Sequence, residues 1–171
     1  MQQYLITTHD VSSLSRGMSV HVDEDKIETY IRESESIDIK SALGDALYLD
    51  VKENPEKYKL LLDGCTYEDK CGEKKIFMGI KTALAYYTYA RIVKNGDFNV
   101  TRYGLMQKED EYSSRPDIKE KVMAYNDAFS IADKYLKECV WFLEEKKDDY
   151  PLYKGNGKIK ANRTVFRILG D

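Results

Sequence analysis

The residues best suited to chemistry in this chain are three cysteines and two histidines. Cys65 and Cys71 lie in one polar stretch, and thiolates are strong zinc ligands. A structural zinc site needs four ligands, however, and neither His9 nor His21 stands in a paired motif such as H-E-x-x-H. Cys139 falls on an apolar helical stripe, where cysteine acts as a small core residue. We therefore expect no metal site and reduced thiols rather than disulfides.

Carboxylates clustered near the amino terminus form a second candidate site. They are Asp23, Glu24, Asp25, Glu28, Glu33, Glu35 and Asp38. The cluster lacks the D-x-D-x-D-G spacing of a calcium loop, so we interpret it as a solvated helix face. The sequence also lacks the glycine-rich phosphate loops and the G-x-S-x-G nucleophile motif. We predict a protein that is not an enzyme, with no catalytic residue and no cofactor; an enzyme whose site forms only in the fold stays open.

Charge is distributed unevenly along the 171 residues, although the net charge is only −3. Residues 1–53 contain 11 acidic and 5 basic side chains, whereas residues 151–171 contain 1 acidic and 5 basic side chains. Such asymmetry concerns partners rather than fold. The basic tail suits either nucleic-acid phosphates or an acidic protein surface. Because the chain as a whole is acidic, we favour the protein surface.

The elements that position these residues are predicted to be helical. Sustained apolar stripes predict two long helices, at about 76–95 and 116–146, that pack together. Asp23 is a suitable cap for the first of several short N-terminal helices. The polar stretch 63–75 is expected to be an exposed loop or small hairpin, and 97–114 a linker.

The predicted fold class is therefore an all-α small helical bundle with extended arms. We divide the chain into an N-terminal arm at 1–22, a helical domain at 23–150 and a C-terminal arm at 151–171. The sequence has no run of about 18 apolar residues and no signal-peptide pattern, which favours a soluble protein that is neither membrane-bound nor exported. Fourteen tyrosines against only five phenylalanines favour interfaces that are partly exposed to water, because most of the large aromatic side chains carry a hydroxyl group.

Four segments, taken together and in order, resemble the head–tail connector, or adaptor, proteins of tailed phages and prophages of gut Bacteroidetes. They are ALGDALYLD at 42–50, YKLLLDG with the following TY at 58–67, ALAYYTYAR at 83–91 and NVTRYG at 99–104. The similarity covers about residues 23–112. These segments carry no catalytic motif, so their specificity lies in the combination.

The resemblance implies an all-α structural protein of the virion that forms a homo-oligomeric ring beneath the portal, twelvefold to match it. The ring would contact the portal protein and the next tail or ring protein. It would also extend the channel through which DNA passes without sequence-specific contact. The implied location is the head–tail junction of particles made in the host cytoplasm.

The candidate partner-binding residues lie in the fourth segment and in the tail. They are Arg102, Tyr103, Arg163, Val165, Phe166, Arg167, Ile168 and Leu169. Arg102 suits either a brace within the subunit or a contact with a neighbour, and both interpretations stay open. The alternative function is a small DNA-binding or packaging-accessory protein that uses the basic tail; salt-sensitive DNA binding would favour it.

Overall fold

A computed structural model describes residues 4–19, 22–96, 98–102, 104–107 and 117–155. Helices predominate, as predicted. They are α1 (Thr8–Leu14), α2 (Glu24–Ser34), α3 (Lys40–Leu43), α4 (Asp45–Glu53), α5 (Lys59–Asp63), α6 (Gly79–Asn95) and α7 (Ile118–Glu145), with a π-helical turn at Glu35–Ile39 and a 3₁₀ turn at Pro55–Tyr58. Two antiparallel hairpins pair β1 (Cys65–Glu68) with β2 (Lys74–Phe77) and β3 (Phe98–Thr101) with β4 (Gly104–Gln107).

The two long helices form the centre of the molecule, which confirms their predicted pairing. They run antiparallel, since Lys94 lies over the ring of Tyr125 and the Tyr87 hydroxyl donates a 2.6 Å hydrogen bond to Asp133. The predicted stripe of α6 is fully buried, at Ile80, Ala83, Leu84, Tyr87 and Ala90. Helix α7 begins later than predicted, because Asp117 and Glu120 form a capping box around its first turn.

The N-terminal segment belongs to the core, and the prediction of an extended arm over residues 1–22 was wrong for its described part. Leu5, Ile6 and Val11 are buried, and α1 packs against α6. Thr7 and Asp10 form a capping box that starts α1. Only Val11 of these three lies in α1, and so short a helix shows no sustained apolar period, so the sequence pattern missed it.

The polar stretch at 63–75 belongs to a hairpin rather than to a loop, and it displaces the start of the central helix. Ile76 and Phe77, predicted to begin that helix, lie in β2, and α6 starts at Gly79. Phe77 is buried and stacks on Phe142 of α7, with ring centroids 4.5 Å apart. This contact attaches the hairpin to the last turns of α7.

Two glycines close the base of this hairpin. Gly64 and Gly79 both have positive φ, of 85° and 82°. A Cβ placed on Gly64 would lie 2.4 Å from the carbonyl oxygen of Phe77, and one on Gly79 would lie 2.5 Å from the Gly64 nitrogen. Only glycine allows the two backbones to approach so closely. The orientation of the hairpin therefore depends on both residues.

The core extends past the residue at which the C-terminal arm was predicted to begin. Tyr150 and Tyr153 are buried in the main core, although Pro151 follows the end of α7. The arm predicted from residue 151 is thus wrong for residues 151–155. Within the predicted linker at 97–114, the described residues form the β3–β4 hairpin.

Candidate functional site

The π-helical turn at Glu35–Ile39 joins α2 to α3 and points two carboxylates inward. Such turns widen the helix by one residue and occur frequently at functional sites. Glu35 is 1% exposed, and the side chain of Asp38 is 11% exposed. The interpretation of the acidic cluster as a solvated face was therefore wrong for these two residues, because each carboxylate has partners from distant parts of the chain.

Glu35 holds the N-terminal segment against α4. Its carboxylate accepts a 2.9 Å hydrogen bond from the Leu5 amide and a 2.6 Å bond from the Tyr48 hydroxyl. The Lys52 ammonium lies 2.7 Å away and neutralises the charge. Burial and the bond to Glu35 raise the pKa of the Tyr48 phenol, so Tyr48 stays a neutral donor.

Asp38 pairs with Arg91 of α6, whose side chain is only 13% exposed. The guanidinium lies 2.8 Å from Asp38 Oδ2 and donates a 3.1 Å hydrogen bond to the Ser34 hydroxyl. The contact with Asp38 is an ion pair without well-aligned hydrogen-bond geometry. Burial raises the pKa of Asp38, and the charge of Arg91 opposes that shift. Sequence reasoning missed this pair, although a lone arginine four residues after buried Tyr87 signals a buried acid.

These two networks serve the structure, since their buried charges are already paired. A cavity of about 320 Å³ lies beside Lys52 and is also lined by Lys59 and Lys81. Lys52 is bound to Glu35, and Lys81 lies 2.7 Å from Asp63. A base or nucleophile would need to be available to a substrate. The arrangement instead fixes α1, the π-helical turn and α6 relative to one another.

The cysteines and histidines are the residues considered first as metal ligands. Within the described ranges, no three His, Cys, Asp or Glu side chains are placed to hold a metal ion. Cys65 is half-buried in β1, Cys71 is exposed and His9 is exposed on α1; His21 lies outside the described residues. Cys139 is buried, as predicted, and burial raises the pKa of its thiol to about 12.

The double substitution Cys65→Ser and Cys71→Ser should leave metal content and stability almost unchanged. Cys71 is exposed, and burial raises the pKa of the Cys65 thiol, which disfavours the thiolate that a metal would need. We expect a change in unfolding free energy below about 1 kcal/mol. Elemental analysis and urea unfolding of both proteins check this. Stoichiometric zinc that disappears with the substitution would contradict it.

An exposed apolar surface lies on the first turns of α7. The predicted stripe is buried at Ala132, Cys139 and Leu143, but the same stripe is open to solvent at Ile118 and Val122. Ile118 is 77% exposed, and the adjacent Met123 is 70% exposed. With 28 residues against 17, α7 is about 16 Å longer than α6, so its first turns extend past the end of its partner. This projecting stripe is the strongest candidate for an interface.

Only one predicted partner-binding residue can be placed. Arg102 is exposed in the turn between β3 and β4. Tyr103 lies outside the described residues, as do all the tail positions: Arg163, Val165, Phe166, Arg167, Ile168 and Leu169. The structure reveals instead the exposed stripe of α7, which sequence analysis assigned to the core.

The fold and its surfaces define a mostly helical domain, with buried ion pairs and an uncovered apolar helix end. No helix in the described part of the chain is long and apolar enough to cross a membrane. The chain belongs to DUF6712, a family of unknown function, whose model matches residues 39–163. No curated protein and no solved structure matches the chain significantly.

Proposed function

We propose that this protein is a structural component of a virion, a head–tail connector that forms a ring beneath the portal and extends the DNA channel. It works without catalysis. The observation that carries the proposal is the apolar stripe of α7, which continues from the core onto the solvent-exposed side of Ile118 and Val122. A ring subunit needs such a surface, because each copy must bury part of itself against the next.

The packing of the resembling segments supports this proposal. Leu43 and Leu47 from the first segment, Leu61 and Leu62 from the second, and Leu84 from the third are all buried. They belong to one hydrophobic core. The similarity to connector proteins thus falls on residues that build the domain. A structural role needs a stable framework of this kind.

The finer parts of the proposal concern assembly. The ring is twelvefold, to match the portal, and its other neighbour is the next tail or ring protein. Arg102 and the basic tail provide the polar contacts, and DNA passes through the channel without sequence-specific recognition. The protein is made in the host cytoplasm and functions in the virion.

A charge-matched pair of variants tests the role of the α7 stripe. Ile118→Glu with Met123→Glu adds two negative charges to the exposed apolar surface, and Lys59→Glu makes the same change in net charge at an exposed position on a different helix, α5. We expect the first variant to keep its helical circular dichroism yet to be absent from particles. The control should be incorporated normally.

Normal incorporation of the Ile118→Glu and Met123→Glu variant would contradict the proposal, since the stripe would then contact nothing in the particle. Salt-sensitive DNA binding by the free protein, unaffected by either variant, would instead favour the DNA-binding alternative.

A further inference from the structure

A groove between β2 and the last turns of α7 presents apolar and acidic side chains to solvent. Its volume is about 470 Å³. Ile76 is 68% exposed and Trp141 is 59% exposed, which is unusual for side chains of this size. The apolar lining and its acidic rim comprise Tyr67, Ile76, Trp141, Glu138, Glu144 and Glu145.

The negative charge of this groove is not neutralised by the basic side chain that lines it. Lys75, its only lining cation, lies 2.6 Å from Asp69, and Glu145 lies 3.8 Å from Lys70. Glu138 and Glu144 form no ion pair with any residue that the structure describes. The groove therefore fits a segment that combines apolar and basic side chains.

Spacing along α7 makes this requirement more specific. Glu138 precedes Trp141 by three residues and Glu144 follows it by three, so all three side chains lie on neighbouring positions of one helix surface. The two carboxylates are separated by about 9 Å along the helix axis. The groove thus presents an aromatic ring between two negative charges.

The chain itself contains a segment with the opposite pattern. When a strand-like segment binds in extended form, alternate side chains share a face, which would place Val165 between Arg163 and Arg167. The two arginines are then about 13 Å apart along the backbone. The arginine side chains are long enough to bend inward and reach two carboxylates that are about 9 Å apart. Val165 would then cover the indole ring of Trp141.

We infer that the groove between β2 and α7 binds residues 163–169 of a neighbouring copy, with Arg163 and Arg167 at Glu138 and Glu144. The inference rests on the proposed ring and names one of its contacts. A donor segment on one copy and a groove on the next form a head-to-tail contact, the kind that closes into a ring. The close contact of Gly64 with Gly79 fixes the hairpin that forms one wall of the groove.

Trp141 is the only tryptophan of the chain, so its fluorescence reports on the groove directly. A synthetic peptide of residues 156–171 is added to the full-length Arg163→Gln and Arg167→Gln variant, whose own tail lacks the two positive charges and cannot compete. We expect a saturable blue shift as the peptide covers the indole. Adding Glu138→Lys and Glu144→Lys to this variant should weaken peptide binding at least about tenfold. A peptide in which glutamate replaces both arginines should not bind.

A milder pair, Glu138→Gln and Glu144→Gln, keeps the test valid if charge reversal disturbs the fold. Fluorescence that does not saturate, or binding that neither pair weakens, would overturn the inference.

Mixing two full-length variants tests whether the contact joins separate copies. One carries Arg163→Gln and Arg167→Gln, and the other carries Glu138→Lys and Glu144→Lys. The mixture retains one intact tail and one intact groove, so we expect a mixed complex by sedimentation although neither variant associates alone. A mixture that stays monomeric would overturn binding between copies. If particles contain a ring of this protein in which Trp141 is exposed, this inference is wrong but the connector function is supported. If the groove binds the tail but the protein is absent from particles, the connector function is wrong.

Discussion

Gly64→Ala should cost about 3–6 kcal/mol of unfolding free energy, because the new methyl group combines a forbidden backbone region with a backbone collision. Gly64 has φ 85° and ψ 160°, a region that is almost confined to glycine. Its Cβ would also lie 2.4 Å from a carbonyl oxygen of β2 and 2.6 Å from the next carbonyl carbon. Neither backbone can move without separating the hairpin from the start of α6.

Gly44→Ala is a close control for this variant. Gly44 has nearly the same backbone angles, φ 78° and ψ 156°, but no atom lies within 4 Å of its Cβ position. We expect a loss of only about 1–3 kcal/mol there, from backbone strain alone. Urea unfolding of both variants isolates the steric contribution. Equal losses at the two positions would show that the backbones at Gly64 and Gly79 do not approach each other closely.

Arg91→Met should destabilise the protein by about 3–5 kcal/mol at neutral pH, since it leaves the carboxylate of Asp38 buried without its counter-charge. The loss should shrink as the pH falls. Burial raises the pKa of Asp38 even when Arg91 is present, and removing the guanidinium raises that pKa further. The folded variant then binds a proton more tightly than the unfolded chain does, so its stability increases as the pH falls through the folded-state pKa of Asp38.

Two further variants complete this test. Arg32→Met makes the same change at an exposed position of α2 and should alter the unfolding free energy by less than about 0.5 kcal/mol. Asp38→Asn combined with Arg91→Met removes the buried charge and should recover much of the loss. Unfolding free energies of all these variants, measured at two pH values, test whether the buried charge of Asp38 causes the loss. A loss that is independent of pH, or that persists in full in the double variant, would mean that the Asp38 charge is not the cause.

Local patterns were sufficient to predict the two long helices and one end of each of two short helices. The apolar stripe that contains Leu84 is continuous over about three turns, and no competing pattern interrupts it. Asp23 caps α2 and Gly64 ends α5, as their types indicate. These features depend on residues close together in the chain, which is why the sequence reveals them.

Features that depend on distant residues were not predictable in this way. Glu35 is buried because Leu5 and Lys52 approach it, and no local signal in an acidic run distinguishes it from exposed neighbours. The exposure of Ile118 has the opposite origin. Its position continues the apolar stripe of α7, but α6 is shorter than α7 and ends before it reaches Ile118.

The proposed function of the chain is tested most directly by cryo-electron microscopy of particles produced in a host that carries this gene, at a resolution that traces side chains. We predict a ring of this protein beneath the portal, twelvefold, with the first turns of α7 buried against a neighbouring subunit. A complete head–tail junction in which the density of this chain is absent would contradict the proposed function.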